Sequence, residues 1–421
     1  MPKMSKALLD FKIARQKWIF VFSVLLWLTI PISVCGQESS GERATEALVN
    51  LGFENVRWTE NNEELIYTIE NNTYKAQGVG IAKALEVIQE YGLPVDKKCK
   101  VIVTRLEIPE LAITYHPTND ENTNSTNISK WETSYDLGNS WKEIKKVKRE
   151  NSSRGKVDIL IYPQLSYKNL IITQIYQVLF TLNPAIEVSL WTGMKLTAQV
   201  IIPIYNDGYG TLNNKAHPGF ITLSQRFRLP FNIKGKATIG GFNMDRYGAD
   251  LMLFRPFKFD ERFSLEGRIG ITSIGYWNGF HYHYATNHDA WKVTWTLGAN
   301  FYWPKFNTEF SLKAEEYFLG EKGVKFEMIR NFRYASVGFY AVKAKEAASN
   351  GGFRFQVLLP PYKQKRHKYI PRVSTSYNMG IVYNAGNERY YYQQYRSESN
   401  ENIMNENSFN PYFIKSELSI Y

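Results

Sequence analysis

Residues 291–315 read WKVTWTLGANFYWPKFNTEFSLKAE. Before Pro304, Trp291, Val293, Trp295, Leu297, Ala299 and Phe301 alternate with Lys292, Thr294, Thr296, Gly298 and Asn300. After it, Phe306, Thr308, Phe310, Leu312 and Ala314 alternate with Asn307, Glu309, Ser311, Lys313 and Glu315. A period of two sends the two sets to opposite faces of a strand. Strands of about ten residues, apolar on one face and polar on the other, suit a transmembrane-type antiparallel β-barrel with lipid outside and water inside. A water-soluble β-sandwich also alternates. Strand length, aromatic residues at strand ends and a targeting signal at the front favour the barrel.

Further candidate strands follow one another from Leu165 onward with no long helical pattern between them. They include 173–182, 185–191, 195–202, 220–229, 234–242, 247–254, 262–273, 323–330, 334–342, 352–359, 375–383 and 413–421, with 389–395 as an additional possibility. The expectation is roughly 12–16 strands and an even count. Ile186, Leu196, Ile202, Phe263, Leu265, Ile269 and Ile271 read as outward. Lys195, Glu266, Arg268, Lys292, Glu309 and Lys313 read as lumen-lining, with Glu187, Gln199, Lys325, Glu327 and Arg354 beside them. Mixed signs point to internal ion pairing that plugs the barrel; contact with an acidic glycan is the functional alternative.

The chain has 421 residues, 22% charged and 15% aromatic, with a net charge of +11. Its mean hydropathy of −0.36 matches soluble proteins. That comparison fails for barrels, whose lipid face uses half of each strand. Residues 1–18 are basic and 19–34 almost wholly apolar, followed by Cys35, Gly36 and Gln37. This is the layout of a secretory signal peptide, 1–36, cut before Gln37. Lipidation at Cys35 is the competing reading, and Val34 is large for the residue before an acylated cysteine. After cleavage only Cys99 remains, so no intramolecular disulfide is expected.

Residues 37–163 read as a small α+β domain facing the periplasm, in the order α-β-β-α-β-β. Ala44, Ala47, Leu48 and Leu51 recur at helical spacing up to Gly52, and Ile81, Leu85 and Ile88 do so up to Gly92. Strands are expected at 54–59, 64–69, 100–106 and 111–115, and a polar loop at about 117–155. The barrel is then 164–421. The basic run KEIKKVKR at 142–149 reads as a solvated face, and no nucleic-acid module is present.

Three other groupings carry possible chemistry. His281, His283 and His288 could hold a metal but lack an acidic or cysteine ligand at fixed spacing. Gly78 and Gly80 could cradle a phosphate at a helix start, but read better as a tight strand-to-helix turn. Glu315–Glu316 and Asp245–Arg246 are adjacent on strands and so diverge. No catalytic residue, metal or cofactor is assigned.

The segments NPAIEVSLW (183–191), GGFNMDRYGADLMLFRPF (240–257), EYFLGEKGVKFEMIRNF (316–332) and GGFRFQVLLPP (351–361) resemble the YjbH family of exopolysaccharide-linked outer-membrane proteins. ATEALVNLGFENV (44–56) is similar to that family's first domain. The resemblance implies a non-enzymatic outer-membrane component of exopolysaccharide or capsule export or surface assembly. Its partners would be outer-membrane lipid, an acidic polysaccharide and small periplasmic proteins of the same pathway. A general porin-like channel is the alternative, and a lipid- or glycan-modifying barrel enzyme a more distant one.

Overall fold

The structure, a computed structural model, describes residues 39–117, 130–169, 176–286, 290–368, 370–386 and 391–420. The expected signal peptide with Cys35, the stretch 118–129 and His288 lie outside the described residues.

The N-terminal domain follows the expected order. Helix α1 (Ser40–Leu51) leads to strands β1 (Glu54–Glu60) and β2 (Glu64–Glu70), then α2 (Gln77–Glu90), β3 (Lys98–Arg105) and β4 (Ile108–Tyr115). β2 and β3 are parallel neighbours because α2 carries the chain back across the sheet, while β1–β2 and β3–β4 are antiparallel. Alternation divides the sheet. Leu65, Tyr67, Ile69, Val101 and Val103 meet Leu48, Ile81 and Leu85 of the helices. Ile66 and Ile102 face Leu137 and Ile144 on the other side. Those last residues come from the region expected as a polar loop. It contributes β5 (Glu132–Ser134) on the edge of β4 and the short helix α3 (Ser140–Ile144).

A second sheet of fifteen strands forms the barrel wall. It begins with β6 (Val157–Asn169), β7 (Tyr176–Ser189), β8 (Met194–Asp207), β9 (His217–Arg228), β10 (Lys234–Gly241), β11 (Arg246–Pro256) and β12 (Phe263–Asn278). β13 (His281–Tyr284) is a short flap paired with β12. The wall continues with β14 (Lys292–Trp303), β15 (Thr308–Glu316), β16 (Lys322–Asn331), β17 (Ala335–Ala344) and β18 (Asn350–Leu358), each antiparallel to the one before.

Closure departs from the expected even count. β19 (Arg372–Thr375) and β20 (Asn378–Asn384) are two parts of one chain run separated by Ser376 and Tyr377. β19 pairs with β6 and β20 with β18. Counted as staves, the run joins twelve other strands to make thirteen. An odd number of alternating staves leaves the first and last pointing the same way, and the β19–β6 pairing is parallel. Ser376 N–H continues that ladder to the Ile161 carbonyl, 2.8 Å. Pro163, two residues on, faces the same side where hydrogen bonding has ended, so its missing N–H costs nothing. β6 therefore runs through Pro163 as the first barrel stave, rather than ending the preceding domain there. Beyond this point the edges of β6 and β20 meet through the stacked rings of Tyr167 and Tyr383, 6.4 Å apart.

Outward positions are as read. Ile186, Leu265, Ile269, Ile271, Val293, Leu297 and Leu312 are all exposed, Leu297 at 63%. On the same strands Thr294, Thr296, Asn300, Ser311 and Glu315 are buried. The wall is apolar outside and polar inside.

The expected last strand, 413–421, is instead helix α5 (Pro411–Leu418), preceded by the short helix α4 (Ile403–Asn407). Asn410 caps α5 by accepting from the Tyr412 and Phe413 N–H groups at 3.0 and 3.3 Å, and Pro411 occupies the first helical position. Ile414 and Leu418 are four apart and fully buried in the N-terminal domain core. A four-residue spacing puts them on one face of a helix. Gly78, read as part of a turn, lies inside α2 where a Cβ would collide with the Glu417 side chain. The glycine lets α2 and α5 approach.

Gly78→Ala should weaken α5 docking by about 1–3 kcal/mol, the usual cost of overpacking. Limited proteolysis should cut the C-terminal segment faster in the variant. An unchanged rate would mean that this helix contact does not form.

Candidate functional site

The inside of the wall carries charges on successive staves, because each inward position sits beside the same-parity position of its neighbour. On β8 to β12 these are Lys195, Arg226, Lys236, Asp250 and Arg268. The chain after β20 returns through this space and brings its own carboxylates. Glu398, 2% exposed, lies 3.2 Å from Lys236, 3.7 Å from Arg226 and 3.9 Å from Lys195. Glu401 accepts from Arg268 Nη1 at 2.7 Å and, on its other oxygen, from the Ser397 N–H and hydroxyl at 2.6 and 2.8 Å. Arg268 Nε donates to Asp250 at 2.7 Å. The Tyr395 hydroxyl donates to the same Asp250 oxygen at 2.7 Å, and its ring stacks on Phe242 at 5.2 Å. Gly270 provides the space: a Cβ there would occupy the position of the Tyr395 hydroxyl.

The opposite part of the wall carries its own counter-charges. Glu327 meets Arg354 at 2.8 Å, Lys325 at 3.2 Å and Lys313 at 3.6 Å, and Lys313 also pairs with Glu266. Between this cluster and the C-terminal segment remains a cavity of about 720 Å³. Its lining includes Glu266, Arg268, Glu309 and Lys313. Gln164, Tyr167, Met379 and Val382 also line it, so it reaches the β6–β20 edge.

Of the residues expected in the lumen, Glu266, Arg268, Glu309 and Lys313 line this cavity, and Lys195 faces Glu398 beside it. Lys195 bonds Glu187 at 3.2 Å. Lys292 is the exception. It shares the inward parity of Thr294 but is exposed at the first residue of β14, away from the cavity lining. Sequence reasoning missed Tyr395, Glu398 and Glu401. Their stretch, YRSESNEN at 395–402, alternates in neither period, and 391–395 forms no strand although 389–395 was a candidate.

The N-terminal domain covers one mouth of the barrel. Arg228 donates to the Pro109 and Glu110 carbonyls at 2.9 and 3.2 Å, and Lys234 pairs with the Glu110 carboxylate at 2.9 Å. Glu261 accepts from the Ser134 hydroxyl and the Tyr135 N–H at 2.8 and 3.0 Å. Glu54 takes Lys156 at 2.7 Å and Arg366 at 3.0 Å. Asn307 donates to Ser416 of α5 at 2.9 Å, and Arg333 pairs with Glu417 at 3.3 Å. Burial raises the Glu54 carboxyl, but Arg366 and Lys156 outweigh it and leave it below its usual range. Burial likewise raises Glu110, and Lys234 and Arg105 bring it down below its usual range.

Elsewhere, the His281 and His283 rings are 4.5 Å apart on β13, with Tyr276 stacked on His283 at 4.7 Å. Among the described residues no three His, Cys, Asp or Glu side chains converge as a metal site. Glu315 bonds the Tyr317 hydroxyl, while Glu316, on the opposite face, bonds Trp295 Nε1 at 2.5 Å. Arg246 lies over the Phe318 ring at 3.9 Å and bonds Thr272 at 2.8 Å. Comparison with family models, curated proteins and solved structures found no match to this chain.

Glu398→Gln removes a buried charge that Lys236, Arg226 and Lys195 face, and should destabilise the seating of the C-terminal segment by about 3–5 kcal/mol. Proteolysis within 391–410 should accelerate while the barrel wall stays resistant; equal resistance of segment and wall would contradict this. The second expectation concerns pH. Carboxyls held below their unfolded value stabilise the docked state above about pH 4.5, and that contribution is lost as pH falls through the folded value. Tryptophan fluorescence should therefore report loosening of the N-terminal domain only below about pH 4.5. Glu54→Gln should weaken docking at neutral pH and flatten the response. A transition centred near pH 6 would point to other groups.

Proposed function

We propose that this chain is a non-enzymatic outer-membrane β-barrel component of surface polysaccharide export or assembly, closed at rest by its own C-terminal segment. The observation that carries the membrane part is the sidedness of the wall. Large apolar side chains such as Ile269, Val293, Leu297, Val324, Phe326 and Phe339 are exposed around it, and the charged residues on that face, Arg255, Glu316, Lys322, Arg330 and Lys343, stand at or beside strand ends. A belt of this size has no use in water and fits hydrocarbon. The polysaccharide part is supported by the resemblance of 240–361 to YjbH proteins. An acidic polysaccharide and small periplasmic proteins are the partners this reading names, with the N-terminal domain in the periplasm.

The filled lumen argues against a general porin. Glu398, Glu401 and Tyr395 occupy space that a water-filled pore needs, and α5 ties their segment to the domain covering the mouth. Export on this reading requires displacement of the segment, and the lumenal ion pairs set the cost.

Deleting the gene should reduce cell-bound and released polysaccharide or trap it in the periplasm, with rescue by complementation. In planar bilayers the wild-type protein should conduct poorly and Glu398→Gln/Glu401→Gln should open it. Unchanged polysaccharide together with altered small-solute uptake and a freely conducting wild type would favour a porin-like channel instead.

A further inference from the structure

The basic run at 142–149 is more than a solvated face. Lys145, Lys148 and Arg149 form part of the wall of a second cavity, about 530 Å³, between the N-terminal domain and the β7–β8 turn at Thr192. Arg57, Arg154 and Arg228 also line it, and the acidic side chain among the lining residues is Glu107.

The charges in this cavity do not balance. Glu107, 4% exposed, lies 2.5 Å from Arg149, 2.6 Å from Arg154 and 3.7 Å from Arg57. Three guanidiniums share one carboxylate, which leaves two positive charges uncompensated. Lys145 and Lys148 add two more and have no ion-pair partner among the described residues. Arg57 is only 8% exposed, yet its Nε and Nη1 have no hydrogen-bond partner among the described residues. Leaving buried charged donors unsatisfied is costly, and such sites commonly accept a ligand that satisfies them. Arg228 differs: it is occupied by the backbone carbonyls of Pro109, Glu110 and Tyr135 and serves as wall. Arg154 is fixed by Glu107 and by Thr192 Oγ1 at 2.5 Å. Trp141 supplies an apolar surface in the same lining.

Guanidinium groups match the geometry of both carboxylates and phosphates. The charge excess decides between them. A phosphate monoester carries about −1.5 to −2 near neutral pH, enough to offset the two uncompensated guanidiniums, whereas a carboxylate offsets one. We propose that this cavity binds a phosphate monoester, carried by a soluble phosphorylated molecule or by a lipid whose headgroup ends in a phosphate monoester. The site sits at the barrel rim, within reach of either source, and does not depend on the polysaccharide reading.

The test uses the full chain in detergent. Titration with inorganic phosphate, followed calorimetrically, should saturate. Lys145→Gln/Lys148→Gln, both exposed, should weaken it about tenfold, the sum of two exposed charge contacts. Arg57→Lys keeps the charge and loses the fork, and should weaken it further. Circular dichroism checks that each variant folds. If inorganic phosphate does not bind, native mass spectrometry with phosphatidic acid against phosphatidylcholine tests the lipid source. Retention of phosphatidic acid that both variants lose supports the proposal. No saturable binding of either probe, or binding that both variants leave unchanged, overturns it.

Discussion

Glu398 enters a space where the wall supplies Lys195, Arg226 and Lys236, and much of the structure depends on that meeting of charges. The cations lie on three adjacent staves, and Glu187 of the wall pairs with Lys195. Buried cations without counter-charges are strongly unfavourable. The C-terminal segment supplies those counter-charges from a different part of the chain. The other side of the lumen shows the contrast: Glu266, Glu315 and Glu327 set three carboxylates against Lys313, Lys325 and Arg354 within the wall itself. The cavity of about 720 Å³ lies between that second side and the C-terminal segment. The segment thus fills the side of the lumen whose counter-charges it supplies.

The same segment explains why barrel and N-terminal domain behave as one unit. After the lumen it reaches α5, whose Ile414 and Leu418 complete the core formed by α1, α2 and the small sheet. The chain therefore begins and ends its described structure in one domain, with thirteen staves between. The odd count follows from the route. The run Arg372–Asn384 leaves from the domain side, closes against β6 with its first residues and against β18 with the rest. It is parallel to β6, and the pairing lasts four residues before aromatic contact replaces hydrogen bonds. That edge is the least bonded line in the wall.

Alternation made most of this legible. The period of two at 291–315 placed Leu297 and Leu312 outside and Asn300, Ser311 and Lys313 inside, and the helical spacing of Leu48, Ile81 and Leu85 placed the small domain's core. Five of six lumen residues followed from parity alone. Lys292 did not, because parity fixes the face and not the depth along a stave. The C-terminal helix was misread because Ile414, Leu418 and Ile420 fit a strand nearly as well as a helix; the Asn410–Pro411 cap was the distinguishing signal. Tyr395, Glu398 and Glu401 carried no local signal, since their positions are set by cations up to about two hundred residues away in the chain. Pro163 misled in the opposite sense, as its effect depends on which neighbour its nitrogen faces.

The central claim is that residues 395–401 lie inside the barrel. Cysteine accessibility tests it most directly, since Cys99 is fully buried and does not interfere. Ser397 is fully buried and Ser419, beyond α5, is exposed. With Ser397→Cys and Ser419→Cys made separately in the full chain carrying Cys35→Ser, a bulky polar maleimide should label the Ser419 variant quickly and the Ser397 variant only after denaturation. Equal labelling of both in the folded protein would place the segment outside the lumen and contradict the account.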